Sequence, residues 1–438
     1  MPKAKIHAIV SALGAGSRSL PISLGDGTRH EWRRALNWLD ASGLALYFLD
    51  RLKQSHATDA VPADVFLELE ERQSKNRERV AIIRQKFRML NEDFHREGVE
   101  YAVLKGFSLV PEYCPDATLR AFSDLDYLIG NDSIDRAEKV LAARGYALKM
   151  RAHFSQCWWT THPGEEFIFW IPVRAPKSEI EQYYPETPCT VELHVTTPDQ
   201  AQKEPPGAAR ELAFNRRVRR EWEGGAFFSL PEAEMFAGQV MHAFRHWVLD
   251  SKVRPCWLFE IGYFLRRRQD EDPIWETVNC LMHSDSLIAE VIRIMVRLTA
   301  LVFGEVHPKA QLWAAALNPA IQRWLDMYGR ESVLAGCDGY DASLFPRSKL
   351  MLFVKEQYPP DVQTALGLRR CSLLPVRRLR ELIDLPARTY NSNFVVIGDQ
   401  LGRFASRALY HAGASLRYFW ELPRWQGIRK SLPLRPQD

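Results

Sequence analysis

Long apolar runs are what this chain most plainly lacks: no stretch approaches the eighteen or so residues of a spanning helix. It is also poor in patterned cysteine. The seven cysteines, at 114, 157, 189, 256, 280, 337 and 371, form no Cys-x-x-Cys pair. An odd, scattered set excludes a disulfide framework and the common zinc spacings, and implies reduced thiols. Charge of one sign is missing overall, with 58 Lys and Arg against 54 Asp and Glu, a net +4. No segment repeats at a period of roughly twenty to fifty residues, which excludes solenoids and propellers. The first ten residues, from Met1 to Val10, carry some positive charge but too brief an apolar run for a good signal peptide. What is present is a 438-residue chain with 46% hydrophobic residues, ample for two or three compact units with real cores.

The most informative stretch is Phe122-Ser-Asp-Leu-Asp-Tyr-Leu-Ile129. Side chains alternate along a strand, so Asp124 and Asp126 leave one face about 7 Å apart while Leu125, Tyr127 and Ile129 point to the other. Two like charges so placed repel, and a divalent cation held between them offsets that cost most easily. Upstream, Tyr101-Ala-Val-Leu104 reads as a short buried strand that runs into Lys105-Gly106-Phe107-Ser108. A glycine there lets backbone approach an anion, and a helical turn over Ser108 to Tyr113 has N–H groups to offer a phosphate. Arg120 is placed to orient the acids or contact phosphate, or else to form a salt bridge across the loop. Lys105 is a point charge for phosphate or an exposed strand edge. Downstream, Thr190-Val-Glu-Leu-His-Val195 alternates, with Glu192 and His194 on one face. Read alone, that face is as readily solvated as functional, and the acids upstream favour function. His242 and His246 lie one turn apart on a helix, with no acidic partner at zinc-hydrolase spacing, which favours a structural or nucleotide-contacting role.

In this order (strand, Lys-Gly turn, short helix, Arg120, acidic strand) the chain resembles the DNA polymerase beta-like nucleotidyltransferase superfamily, and within it a bacterial family of uncharacterised nucleotidyltransferases. The resemblance rests on Val103-Leu-Lys-Gly106, on Leu119-Arg120 through Asp126-Tyr-Leu, on Arg144-Gly-Tyr146 and on Val191-Glu-Leu-His194, about a hundred residues in all. It implies a nucleotidyltransferase that moves a nucleoside monophosphate from an NTP donor to an unknown hydroxyl acceptor. It implies two Mg2+ ions held by Asp124 and Asp126, with Glu192 as the third carboxylate or the base. Lys105, Gly106, Ser108, Arg120 and Ser123 would contact the nucleotide. The chain departs from the superfamily at Phe107, which stands where Gly or Ser usually follows the glycine; Ser108 is the substitute candidate for the phosphate-binding serine. That departure also suits a catalytically inactive, nucleotide- or partner-binding descendant. Either aspartate is expected to be replaceable with the fold left standing. The expected location is the cytoplasm of a bacterium.

Apolar spacing predicts a helix from Glu31 to about Gln54 and a longer one from Pro62 to Glu97, another near Ser133 to Arg144, and strands near Tyr146 to Met150 and Glu166 to Ile171, followed by a loop from Pro172 to Pro188. After Glu192 the pattern reads almost wholly helical: 231–248, 256–268, 274–304, 309–327 and 342–356. The expected fold is α+β, a small mixed sheet flanked by helices, with a helical N-terminal region (1–98), a transferase core (99–200), a helical domain (201–360) and a basic, aromatic-rich helical tail (361–438). From Leu366 onward there are thirteen Arg and Lys against five Asp and Glu. Such a tail packs on the protein as an appendage, lies on an acidic membrane surface at the periphery, or contacts nucleic acid.

Overall fold

Alternating apolar positions build one sheet, and a long helix closes its inner face. The computed structural model describes residues 2–14, 24, 27–154, 164–171, 178–196, 214–222, 225–247, 253–335, 337, 351–358, 363 and 393–432. Seven strands, β1 (Tyr101–Val103), β2 (Asp124–Gly130), β3 (Ala147–Phe154), β4 (Gly164–Trp170), β5 (Thr190–Thr196), β6 (Val218–Trp222) and β7 (Gly225–Ser229), form a mixed sheet in the order β3-β4-β5-β2-β1-β7-β6. β1 runs antiparallel to β2, whereas β5 runs parallel to it, with Asp124 opposite Thr190, Asp126 opposite Glu192 and Leu128 opposite His194. The α+β class is therefore as the sequence indicates.

Leu125, Tyr127 and Ile129 of β2 and Val191, Leu193 and Val195 of β5 are buried on the face opposite the acids. After α1 (Pro2–Leu13), α2 (Arg29–Ser42) and α3 (Ala45–Gln54), helix α4 (Ala63–Arg96) covers that face. Phe87 and Phe94 of α4 meet Tyr127 at ring-centroid distances of 6.4 and 5.2 Å. Asp64 in its first turn and Arg96 in its last complement the helix dipole. Gly98, at φ +64°, turns the chain into β1, a conformation that suits glycine.

Arg79 of α4 is 1% exposed. Its guanidinium donates to the carbonyls of Phe122 (2.9 Å) and Tyr184 (3.1 Å) and to that of Thr187. Phe122 lies two residues before Asp124, the first residue of the acidic strand, and Tyr184 and Thr187 lie just ahead of β5. One buried side chain thus ties together the approaches to both strands that carry the acids. Asn76, one turn earlier, donates to the carbonyls of Thr118 and Arg120 at 2.8 and 2.9 Å.

The helix expected from Glu31 to Gln54 is two helices. Gly43 breaks it at φ +73°, where a Cβ would lie 2.6 Å from Cys256 Sγ, so both conformation and space require glycine. Helix α1 and the β6–β7 hairpin were not legible. The hairpin's first strand, Val-Arg-Arg-Glu-Trp, is largely exposed and carries no buried alternation. Helix α5 (Ile134–Ala143) sits between β2 and β3, and α6 (Glu232–Arg245), α7 (Pro255–Arg266), α8 (Ile274–Ser284), α9 (Ser286–Phe303), α10 (Pro308–Ala315), α11 (Pro319–Leu334) and α12 (Asn393–Ser431) follow the sheet. The helical stretches expected at 274–304 and 309–327 are each divided, by Asp285 and Asn318, whose side chains cap the next helix. The stretch expected at 342–356 lies outside the described residues up to 350; 351–357 holds two 3-10 turns.

Helix α12 packs through Ala414, Glu421 and Trp425. Trp425 stacks on Phe353 at 5.4 Å, and Glu421 accepts from Tyr328 Oη at 3.1 Å. Among the described residues no helix is long and apolar enough to cross a membrane. Because Arg79 satisfies several buried carbonyls at once, Arg79→Met is expected to cost about 3 kcal/mol or more of unfolding free energy. Chemical denaturation checks this, and a change below about 1 kcal/mol would show that the clamp is dispensable.

Candidate active site

The parallel pairing of β2 with β5 brings the acids onto one surface. Leu104, just past β1, donates its N–H to the Asp126 carbonyl at 3.0 Å, which sets Lys105 over the same surface. Lys105 Nζ then donates to Asp126 Oδ1 at 2.9 Å, and His194 Nε2 lies 3.2 Å from the same oxygen. Asp126 is only 1% exposed, and its Oδ2 is buried with no hydrogen-bond partner. Asp126, Glu192 and His194 each bring a ligand atom within 4.8 Å of the others.

Burial and the charge of Asp126 push the Asp124 carboxyl above its usual range. Burial, then the charges of Asp126 and Asp124, push Glu192 up to about 8. Burial acts on Asp126 in the same direction but is outweighed by the Lys105 ammonium and the His194 contact, which hold it well below the carboxylate range. Lys105 in turn is desolvated yet held above its usual value by Asp126, Asp124 and Glu192. Three carboxylates share one ammonium, so this surface is short of positive charge. Oxygen donors in that state, one of them a buried orphan, fit a hard divalent cation.

The Lys-Gly turn stands beside the acids. Gly106 has φ +67°, a conformation that favours glycine. Phe107 points away from the cleft into the core, with its ring 4.9 Å from Phe87, 4.5 Å from Phe122 and 4.7 Å from Trp222. The residue that departs from the superfamily pattern therefore does not obstruct the turn. Ser108 is buried, and its hydroxyl donates to the Lys105 carbonyl at 3.1 Å, so it braces the turn from inside. Ser123 hydrogen-bonds Asp124.

A cavity of about 250 Å³ opens beside Asp124, with Lys105, Gly106, Ser123 and Asp124 on the sheet side and Tyr47, His242, His246 and Trp257 on the helical side. Arg120 Nε donates to Glu260 Oε1 at 2.6 Å, Tyr47 Oη donates to the same oxygen at 2.6 Å, and Arg120 Nη1 reaches the Gly106 carbonyl at 3.4 Å. Arg120 is thus engaged in a salt bridge across the cleft wall. His242 and His246 pack at 4.6 Å, and Trp257 lies 4.6 and 4.9 Å from them. Burial, then the Lys105 charge, pushes His242 well below its usual value, so it presents a neutral imidazole.

Sequence reasoning placed Asp124, Asp126, Glu192, Lys105 and Gly106 on one surface, and the fold brings them together there. It missed Glu260, Tyr47 and Trp257. Only Glu260 left a signal, as a lone acid in an otherwise apolar helical segment, Pro-Cys-Trp-Leu-Phe-Glu-Ile-Gly-Tyr-Phe-Leu. His194 shares a strand face with Glu192 in the sequence, and the fold brings it to Asp126.

A mixed sheet with carboxylates on two parallel strands, beside a Lys-Gly turn whose lysine reaches Asp126, is the arrangement that the resemblance implies. The family described as uncharacterised nucleotidyltransferase matches residues 28–301, well over half of the chain, and the protein belongs to it. No curated protein and no solved structure matches the chain.

Glu192 generates a pH test. Its carboxyl keeps a proton up to about pH 8 in the folded protein, against 4.5 as its ordinary value. Between those limits the folded state binds more protons than the unfolded one, so its contribution to stability falls as pH rises. Glu192→Gln mimics the protonated acid. The melting temperature of the variant should therefore rise relative to wild type from about pH 5 to about pH 8, without added metal. A difference that stays flat across that window would contradict the electrostatic reading.

Proposed function

We propose that the protein transfers a nucleoside monophosphate from an NTP to a hydroxyl acceptor and releases pyrophosphate. The observation that supports this reading best is the register of Asp126 against Glu192 on parallel strands, beside a cavity that Lys105 and Gly106 line. Asp124, Asp126 and Glu192 would hold the divalent cations, Mg2+ by resemblance. Bound there, the cations would neutralise charge on the triphosphate and on the oxygens that attack and leave.

The chain's own groups supply the rest. Lys105 places an ammonium between the acids and the cavity, where it steers and orients a triphosphate. Gly106 leaves the turn without a side chain where phosphate oxygens approach. Glu192 would either complete the cation site or stand as the base that accepts the acceptor's hydroxyl proton. The acceptor oxygen then bonds to the α-phosphorus, the α–β bridging P–O bond breaks, and pyrophosphate leaves with that electron pair. The neutral His242 with His246 and Trp257 forms an aromatic wall suited to a nucleobase or an acceptor ring.

Ligand that binds only the folded state raises the melting temperature, by about 2.7 kcal/mol of stabilisation at a hundred times Kd. In a thermal-shift titration with ATP, GTP, CTP and UTP, at least one nucleotide is expected to stabilise wild type in a cation-dependent manner, and Asp124→Asn and Asp126→Asn are expected to lose the effect. Of the two, only Asp124→Asn should leave the metal-free fold as stable as wild type, since Asp126→Asn also strips Lys105 of its buried partner. No shift with any NTP would overturn the catalytic reading in favour of a non-catalytic member of the fold.

A peripheral contact with an acidic membrane is a second reading, supported by α12. Leu409, Leu416 and Trp420 lie on one face of the helix and are 69%, 73% and 84% exposed, opposite the buried Ala414, Glu421 and Trp425. Between residues 403 and 430 the helix carries Arg403, Arg407, Arg417, Arg424, Arg429 and Lys430 against the single acid Glu421, which favours anionic lipid. Co-sedimentation with vesicles containing anionic lipid, but not with neutral vesicles, is expected, and Leu416→Glu with Trp420→Glu should abolish it. Absence of vesicle binding, or equal loss of binding to nucleic acid only, would overturn this reading.

A further inference from the structure

We propose that His194 is a ligand of the cleft's cation, so that Asp126, Glu192 and His194 form a mixed carboxylate–imidazole site that favours a first-row transition cation such as Mn2+ over Mg2+. The inference rests on the reading of the cleft as a cation site and sharpens it. Four observations carry it. Glu192 and His194 stand two residues apart on β5 and so share a face of the sheet. The register sets Glu192 beside Asp126 and His194 one step beyond, diagonal to it. His194 Nε2, the nitrogen at the far end of the ring, is the atom that faces Asp126, at 3.2 Å. Asp126 Oδ2 is buried with no partner in a side chain that is 1% exposed, while Oδ1 is already engaged by Lys105. One oxygen of Asp126 is thus committed to the lysine and the other has no partner, and the Asp126 carboxylate lies with an oxygen within 4.8 Å of a carboxylate oxygen of Glu192 and a ring nitrogen of His194.

Donor chemistry then sets the preference. Mg2+ demands a near-octahedral shell of oxygens and dehydrates reluctantly, whereas imidazole nitrogen is a ligand for transition cations. Without a cation, the Nε2 hydrogen is directed at Asp126 Oδ1. Ligation needs the lone pair on Nε2, so that hydrogen must leave, with Nδ1 carrying the ring proton in the neutral ligand. A merely structural role would keep the hydrogen on Nε2, orient Asp126, and leave the cation's shell free of nitrogen.

The test uses Mn2+ as the probe. Titration of the full-length protein, followed by melting temperature and by the electron paramagnetic resonance of free Mn2+, should show Mn2+ binding about tenfold or more tighter than Mg2+. His194→Asn should weaken Mn2+ by about tenfold and Mg2+ much less. Electron spin-echo envelope modulation of the Mn2+ complex should show nitrogen coupling, and growth on 15N-histidine should change its frequencies in the wild-type protein, a readout that does not depend on how the variant folds. Mn2+ bound without histidine nitrogen coupling would overturn this inference and leave the nucleotidyltransferase reading standing. Failure of both cations to bind would overturn the two together.

Discussion

The structure depends on one pairing, that of β2 with β5 in parallel. Parallel neighbours cannot be joined by a tight turn, so the chain between them must leave the sheet and return. Here it does so through α5, β3 and β4, with β4 pairing antiparallel to β5 on the outer side. That detour places Glu192 opposite Asp126 although sixty-odd residues separate them in sequence. It also leaves loops ahead of both acidic strands, and Arg79 of the long helix holds these in place by satisfying their carbonyls. Interior packing under Tyr127 and a buried guanidinium at the strand entrances are thus what fix the geometry of the acids.

The arrangement is electrostatically incomplete on its own. Asp124, Asp126 and Glu192 are gathered in a partly desolvated cleft with Lys105 as the ammonium between them, and two of the three carboxyls are pushed toward the protonated form as a result. A site that destabilises its own charges is one prepared for cations or for a ligand that brings them. The opposite wall has a different character: Glu260 ties Arg120 and Tyr47 together, and a neutral His242 lies against Trp257. The sheet side thus carries the carboxylates and their ammonium, and the helical side adds the rings of His242, His246 and Trp257 beside an internal ion pair.

Much of this was legible before the fold. Alternation around Asp124 and Asp126, the glycine after Lys105, and the Val-Glu-Leu-His run each express a local rule, and local rules survive in sequence. What was not legible depended on contacts between distant segments. The sequence puts His194 on the same strand face as Glu192, but nothing in its neighbourhood announces that it reaches Asp126. Phe107 stood out as a departure from the superfamily's turn, and only the packing of its ring on Phe87, Phe122 and Trp222 shows that it faces the core. The β6–β7 hairpin escaped because an arginine-rich edge strand has no buried face to impose a pattern. The break at Gly43 was missed because apolar spacing continues across it, while one of the two reasons that only glycine fits there, the nearness of Cys256, lies two hundred residues further on.

Position of the transferred phosphorus tests the central claim most directly. Incubation of the protein and a divalent cation with an NTP labelled at the α-phosphorus, and separately at the γ-phosphorus, in the presence of an acceptor pool from cell extract, distinguishes the possible transfers. The account predicts that α-label becomes attached to acceptor, that γ-label leaves in pyrophosphate, and that Asp126→Asn does neither. Transfer of γ-label to acceptor, or no transfer of either label by a protein shown to bind NTP, would contradict it.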